Sequence, residues 1–598
     1  MAGEEEIRRL LAGCDGAQRG AITTPAMPLL VVAGAGSGKT RVLTRRIARR
    51  ILDGSAVAAH VLALTFTRRA AGELRARLRA LGLADPVAAG TFHALALREL
   101  RGIAADRGDR PPVVLDSKIR LLAELLPPAR HDAAAAVAAE IDWAQARRIT
   151  PDAYAEQAAA HGRPSAVGRA RVAELFLAYE REKRKRRVLD FDDLLATLAT
   201  RIEQDRDVAA MQRWRFRHLF VDELQDVSPS QLRLLHAWLG DRADLCAVGD
   251  PHQSIYAWSG AEPGVLASFV EHFPGATVLQ LDANYRSSPQ VVAVAAAALH
   301  GADAARNAPV ATARSDGPVP TITCFASDGE ERSGIVAAVR RTSRPGRRWS
   351  CCAVLARTNA QLAELHRSFD EAGIPARTGT GGGLLALPEV RAVLGRTGDR
   401  SSTAAFCALV DDLDLDLRAA GGEEPGAALL TEHAAPDALA TFLALAREYR
   451  DEDPRPTLDG FVSWARAALR NDPAFGDGDA VTLSTFHRAK GLEWPVVFVT
   501  GLEAGLVPLA SARSTQALDE ERRLLYVALS RAGEELHCSW ALRRDVGGRA
   551  TAREPSPYLP SIASTCDALE QLARPDRDAA RRAIATGRAL LGAPAPGR

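Results

Sequence analysis

The sequence predicts an α/β protein with two parallel-sheet cores, each interrupted by a mainly helical insertion. Three observations lead there. Short β-branched runs alternate with helical patterns in two separate series, as buried parallel strands with crossover helices do. Each series breaks off and resumes further along the chain. The stretches that fill the breaks carry amphipathic helical patterns instead. At 598 residues the chain is far longer than one ordinary domain.

The first series starts at Leu29–Val32 and resumes at His218–Val221 and Leu245–Gly249. The second is expected to start near Ala276–Leu281, continue through Cys352–Leu355, and resume at Val481–Leu483 and Val496–Thr500. The expected first core is therefore 1–104 with 190–277, broken by a helical insertion at 105–189. The expected second core is 278–390 with 479–562, broken by a helical insertion at 391–478. That second insertion has acidic clusters at Asp411–Asp416 and Asp451–Asp453. The remainder, 563–598, reads as a tail with one surface helix, Asp576–Leu591, before a Pro/Gly end. No solenoid-type repeat is present.

Hydrophobic residues make up 47% and charged residues 25%, the balance of a soluble globular protein. Net charge is only +2, so a polyanion would have to be held by a local groove and not by the field of the whole chain. The eight cysteines are scattered, with no C-x-x-C spacing, which supports neither a zinc site nor an iron–sulfur cluster. They read as free thiols in a reducing cytosol. The acidic start MAGEEEIRRLLAG lacks the pattern of a signal peptide. No run approaches the ~20 apolar residues that span a bilayer. A cytoplasmic protein with no membrane partner is expected.

LLVVAGAGSGKT sets an apolar strand before a Gly-rich loop and a helix. Such a loop turns its amides inward on phosphate oxygens, in backbone conformations that side chains obstruct. The loop Ala33, Gly34, Ala35, Gly36, Ser37, Gly38, Lys39 and Thr40 would bind ATP, with Lys39 on the β- and γ-phosphates and Thr40 on Mg²⁺. Ala33 stands where the general pattern has its first glycine. An acidic residue should close a neighbouring strand, and HLFVDELQD supplies Asp222 for Mg²⁺ and Glu223 to activate the attacking water. A lone Asp-Glu pair is usually a solvated turn; behind a phosphate loop it reads as catalytic.

These motifs belong to an ordered set. It runs from Gln18 in DGAQRGAI through LALTFTRRAAGEL (62–74), GTFHALALR (90–98), LDFDDLL (189–195) and VDELQD (221–226). It continues with VGDPHQSIYAWSGA (248–261), LDANYRSS (281–288), AVLARTNAQ (353–361), VTLSTFHRAKGLEWPVVFVTGLEAGLVP (481–508) and EERRLLYVALSRA (520–532). The chain resembles the UvrD/Rep/PcrA-like helicases of superfamily 1, over nearly its whole length and in motif order.

The resemblance implies two RecA-like nucleoside-triphosphatase cores and an ATP-dependent DNA helicase or translocase moving 3′→5′, acting in DNA repair or recombination. Gln18 would read the adenine edge and Arg41 would lie against base or ribose. Gln253 would sense the γ-phosphate. Arg286 and Arg531 would act as arginine fingers, and Glu493 would contact the ribose or metal shell. A strand of mixed sequence is gripped through stacking and phosphate contacts. Tyr256 and Trp258, two apart and hence on one side of an extended segment, resemble the family's base-stacking pair. Phe66, Phe191 and Tyr558 match its other aromatic positions, and Thr91, His93 and Asn359 its strand-contacting ones.

His93 and His487 have no carboxylate or cysteine at ligand spacing, so hydrogen-bonding roles near DNA or in the core suit them better than a metal. Arg181–Arg187, the densest basic run, is either a solvated helix face or a phosphate-contacting patch. Two departures stand out. Ala257 lies between the two aromatics and Ser259 follows them, where relatives often carry basic residues around the pair. The second insertion is about half the length typical of the family's fourth domain, and its acidity would repel duplex phosphates. A motor that unwinds poorly without an activating protein partner is the expected consequence.

The expected partners are single-stranded DNA and single-strand/duplex junctions. RNA stays open on residue chemistry alone, because stacking ignores the sugar. The alternative is the motor subunit of a nuclease or antiphage complex. Against a built-in nuclease, no acidic constellation follows Ala532, and the remaining tail is too short to fold such a domain.

Overall fold

The computed structural model describes residues 2–573, apart from 84, 86, 116, 164, 166, 263, 301–312, 343–346, 379–383, 397, 421–434, 453–455, 472–478 and 547–548. The expected helix Asp576–Leu591 lies outside them. The chain divides into two compact units. One comprises Met1–Asp282, Ile374–Ser484 and Ser514–Glu520; the other comprises Ala283–Gly373, Thr485–Arg513 and Glu521–Arg598.

Six strands build the first sheet: β1 (Leu29–Ala33), β2 (Val61–Thr65), β3 (Ala88–Thr91), β4 (His218–Val221), β5 (Leu245–Gly249) and β6 (Thr277–Leu281). Their order is β3-β2-β4-β5-β1-β6, all parallel. Strand periodicity sorts β1 between two hydrophobic layers. Leu29, Val31 and Ala33 join the core that holds Val42 and Ile47 of the helix Lys39–Leu52. Leu30 joins the opposite core, around Leu195, Leu235 and Trp238.

A second six-stranded parallel sheet has β7 (Thr321–Phe325), β8 (Cys352–Ala356), β9 (Ala376–Thr378), β10 (Val481–Thr485), β11 (Trp494–Val499) and β12 (Ala532–Ala541). Their order is β7-β12-β11-β8-β10-β9. One expectation is corrected here. The run Ala276–Leu281 does not open the second sheet; β6 pairs with β1, Leu29 opposite Thr277, and seals the edge of the first. Its alternating exposure is that of an edge strand, and pairing to a non-local partner leaves no mark in the strand's own sequence. The second sheet begins instead at TITCF (321–325), a run the sequence reading passed over.

Four helices, Lys118–Leu125, Ala134–Ala146, Tyr154–Ala160 and Arg169–Arg186, form the first insertion around Trp143, Tyr154 and Tyr179. A buried charge network ties it to the core. Asp190 caps the helix Phe191–Gln204 in a reciprocal box with Asp193. Its Oδ2 also accepts bonds from Lys183 at 2.8 Å, Tyr179 at 2.8 Å and Gln145 at 2.9 Å. Lys118 lies 3.3 Å away and donates to Asp142 at 2.6 Å. Burial works against the Asp190 carboxylate, but Lys118 and Lys183 outweigh it and hold the group well below the usual range.

Glu180, Asp190 and Asp193 present oxygens close enough for a metal ion. The Lys183 ammonium already contacts all three, at 2.9, 2.8 and 2.7 Å. The basic run at 181–187 therefore has two characters. Lys183 turns inward as structure, while Arg184, Lys185, Arg186 and Arg187 face solvent.

The second insertion comprises helices Pro388–Gly395, Thr403–Ala420, Ala435–Glu452 and Leu458–Asn471, packed around Phe406, Tyr449, Phe461 and Trp464. It belongs to the first unit. Glu448 bonds Arg68 at 3.0 Å, and Arg101 donates to Tyr449 at 3.1 Å. The acidic face is answered from within. Asp411 pairs with Arg450 at 2.7 Å, Asp416 with Arg396 at 3.1 Å, and Asp414 with Arg447. The expectation of a phosphate-repelling cluster is tempered accordingly, because cations from facing helices offset it. The Asp453 end of the other acidic cluster lies outside the described residues.

In the second unit, Glu331 is buried and accepts from Thr500 at 2.7 Å, Ser539 at 2.6 Å and Arg544. Among the described residues no helix is long and apolar enough to cross a membrane.

Removing Lys183 would take the nearest cation from the buried Asp190 carboxylate and the shared partner from Glu180 and Asp193. Lys183→Met is expected to lower stability by about 3–5 kcal/mol, read from the first transition in urea unfolding. A loss below about 1 kcal/mol would show that the junction does not depend on this charge.

Candidate nucleotide and DNA site

β1 runs straight into the loop and the helix Lys39–Leu52 follows. Two loop residues, Gly36 and Gly38, have φ of +74° and +84°, a region that side chains strain to enter. A Cβ on Gly38 would also lie 3.1 Å from Gln18 Nε2. Ala33 is not among the positive-φ residues, so the position where the pattern prefers glycine tolerates a methyl group. Lys39 is buried; its Nζ donates to the Ala33 carbonyl at 3.2 Å and lies 3.7 Å from Asp250 Oδ2.

Thr40 Oγ1 donates to Asp222 Oδ2 at 2.9 Å. Burial, reinforced by the neighbouring Glu223, pushes the Asp222 carboxyl up to about 7. A hydroxyl and a buried carboxylate brought this close form a hard-oxygen pair that fits Mg²⁺. Glu223 sits at φ 55°, a left-handed conformation that is rare for residues with a Cβ. It pairs with Gln225 Nε2. Gln225 Oε1 in turn accepts from the Asp250 amide at 2.9 Å, and Asp250 Oδ2 accepts from Gln253 Nε2 at 2.7 Å.

The result is a continuous relay from Glu223 through Gln225 and Asp250 to Gln253, with Lys39 beside it. Sequence reasoning assigned no role to Asp250. The signal was present, since Asp250 follows β5 just as Asp222 follows β4.

Gln18 is buried in the helix Gly16–Thr23, which it helps cap together with Asp15, and its Nε2 donates to the Ser37 carbonyl at 3.0 Å. Arg41 donates to the Gly13 carbonyl at 3.0 Å. Both residues therefore stand at the loop, tied to the segment that precedes β1.

The aromatic candidates of the first unit form two groups. Phe66 stacks on Tyr256 with ring centres 4.9 Å apart, and Trp258, a residue 49% exposed, has its ring centre 6.4 Å from that of Tyr256. His93 stacks on Phe191 at 4.5 Å and 15°. Burial holds His93 down to about 4, against the pull of Asp190, so at neutral pH its ring is uncharged. Thr91 caps the helix Phe92–Arg107, its Oγ1 accepting from the Ala94 amide. The expected extended segment at Tyr256–Trp258 is instead a short 3₁₀ turn, Ala257–Ser259, closed by Gly260 at φ 101°. The turn brings the two rings together at a tilt of 54° and not in one flat row.

The second unit carries the rest. Arg286 Nε donates to Glu493 Oε2 at 2.5 Å, which brings two predicted residues together. Arg531 is buried and donates to the Val527 carbonyl at 2.9 Å, the Leu492 carbonyl at 3.2 Å and Ser530 Oγ at 3.1 Å. Asn359 opens the helix Asn359–Glu371. Tyr558 is packed rather than open, 7% exposed beneath the Arg522 guanidinium. His487 is held down to about 3 by burial and by the nearby Arg357 and Lys490, so it too stays neutral.

Residues 14–274 match the UvrD/REP helicase N-terminal domain, and residues 279–395 and 430–543 match the UvrD-like helicase C-terminal domain. The ATP-dependent DNA helicase UvrD2 of Mycobacterium tuberculosis is 38% identical over 605 residues, covering 96% of this chain and 85% of that protein. The ATP-dependent DNA helicase PcrA of Leuconostoc citreum is 30% identical, covering 93% of this chain and 85% of its own. That of Bacillus subtilis is 28% identical, at 94% and 87%. A Gly-rich loop beside a hydrogen-bonded relay that ends at Gln253, three residues before the stacked Tyr256, accords with similarity at this level across nearly the whole length: the chain belongs to the UvrD/REP helicase family.

Proposed function

We propose that the chain is an ATP-dependent DNA helicase that moves 3′→5′ along single-stranded DNA. The observation that carries the reading is the relay from Lys39 and Glu223 through Asp250 to Gln253. Tyr256 and Trp258 follow Gln253 by three and five residues. Hydrolysis and strand grip are thereby built on one short stretch of backbone, and a change at the γ-phosphate reaches the stacking rings without a long path.

In this reading the amides of 34–38 and the Lys39 ammonium hold the phosphates, and Thr40 with Asp222 holds Mg²⁺. The metal, when bound, neutralises charge on the phosphate oxygens. Glu223 orients the attacking water, its strained backbone fixing the carboxylate where the relay can report on it. Gln18 and Arg41 select the base and Glu493 contacts the ribose. Arg286 and Arg531 supply positive charge as the phosphoryl group transfers. Phe66, Tyr256 and Trp258 form one stacking platform for bases, with His93 and Phe191 a second. Thr91 and Asn359 contact the strand, and Tyr558 contributes least because it is packed.

Strand displacement on tailed duplexes tests the polarity: 3′-tailed substrates are expected to unwind and 5′-tailed ones to stay paired. Unwinding confined to 5′-tailed duplexes would overturn it. Lys39→Ala is expected to reduce DNA-stimulated ATP turnover by about 100-fold or more. Activity that survives this change would relocate the nucleotide site. Arg286→Ala is expected to lower kcat by about 10³-fold with a smaller change in KM for ATP, the mark of a group used in the transition state.

A further inference from the structure

The stacking turn Tyr256–Ala261 leaves Trp258 exposed and Tyr256 half-buried, yet its backbone is held from the first insertion at three points. Arg163 Nη1 donates to the Trp258 carbonyl at 3.0 Å. Arg147 Nη1 donates to the Ala261 carbonyl at 3.4 Å. Between them Gly260 lies so close to the insertion that a Cβ would fall 2.5 Å from Ala146 Cβ. Both guanidinium groups lie over the buried Trp143 ring, at 4.8 Å for Arg163 and 6.0 Å for Arg147.

Arg163 is itself fixed. Glu140 takes its Nη2 at 2.6 Å and its Nε at 3.3 Å, while Tyr154 donates to the same carboxylate at 2.7 Å. We infer that Arg163, seated on Trp143 and Glu140, is a positioning residue that sets the Tyr256–Trp258 turn for base stacking, with Arg147 as its second support. The inference rests on the stacking role of that turn.

The physical argument concerns entropy. A mobile turn would have to be ordered each time a base stacks, and that cost is subtracted from affinity. Fixing two carbonyls on a rigid helical insertion removes the cost in advance. The task also selects the residue type. Arg163 grips Glu140 through Nη2 and Nε while Nη1 reaches Trp258, which needs donors in a fixed planar fork. A lysine ammonium is a single point and cannot reproduce all three contacts. The insertion thereby sets the strength of the grip without touching the strand.

The test is steady-state ATP hydrolysis by the full chain titrated with dT oligonucleotide, with binding followed by fluorescence anisotropy. Arg163→Ala is expected to raise the half-saturating DNA concentration about tenfold and to change maximal turnover by less than about twofold. Arg163→Lys is expected to recover only part of the loss. Trp258→Ala serves as the control and is expected to weaken DNA binding on its own. Adding Arg163→Ala to it should then do little more, because both act on one contact.

If Trp258→Ala weakens binding while Arg163→Ala leaves it unchanged, the positioning role is overturned and the stacking assignment stands. If Trp258→Ala has no effect, the stacking assignment fails first. Should Arg163→Ala fail to fold with Glu140 stranded, Glu140→Gln/Arg163→Met removes both charges and keeps an acceptor for Tyr154. The same tenfold shift is expected from that pair, and its absence overturns the inference.

Discussion

A lysine ammonium buried at the end of a parallel strand must be met by oxygen, and much of the first unit is arranged around that requirement. Lys39 is 8% exposed and finds its oxygens in the Ala33 carbonyl and in Asp250. Asp250 can serve only because its amide is held by Gln225 and its other carboxylate contacts are taken by Gln253 and the His252 amide. Those bonds fix the ends of β4 and β5 relative to β1. The Lys39 end of the loop, the strained Glu223 and Gln253 are linked by the same small set of polar contacts.

The strand–loop–helix form of 29–52 was legible in the sequence, because Gly36 and Gly38 answer dihedral demands that residues with a Cβ meet only under strain. The acid after β4 was legible for a related reason, since a carboxylate ending an apolar strand needs a partner. Three other features were not. β6 carries an edge strand's alternation, and nothing local to Ala276–Leu281 names the sheet that it joins. The pairing of Asp411, Asp414 and Asp416 with Arg450, Arg447 and Arg396 depends on how helices distant in sequence align. Arg163 works through the carbonyl of Trp258, and a backbone acceptor has no letter in the sequence.

Charge burial recurs as a method of assembly. Asp190, Glu331 and Arg531 are each almost fully buried, and each is met by several hydrogen-bonding partners. Such clusters contribute little net stability compared with apolar packing, but they tolerate few alternative geometries. They are used where an element must sit in one place: the insertion on its core, and a helix beside the second sheet. The +2 net charge of the chain conceals this internal pairing.

The junction around Asp190 has a consequence for the history of the sequence. Its carboxylates and two lysines come from three insertion helices and from LDFDDLL, so almost any single exchange strands a partner. Effects within such a network are strongly non-additive. Neutral drift is therefore closed to these positions one at a time, and the insertion could be replaced or resized only by a coordinated change on both sides. The acidic face of the second insertion is held differently, by separate surface pairs such as Asp411 with Arg450 and Asp416 with Arg396, each of which can change without disturbing the other.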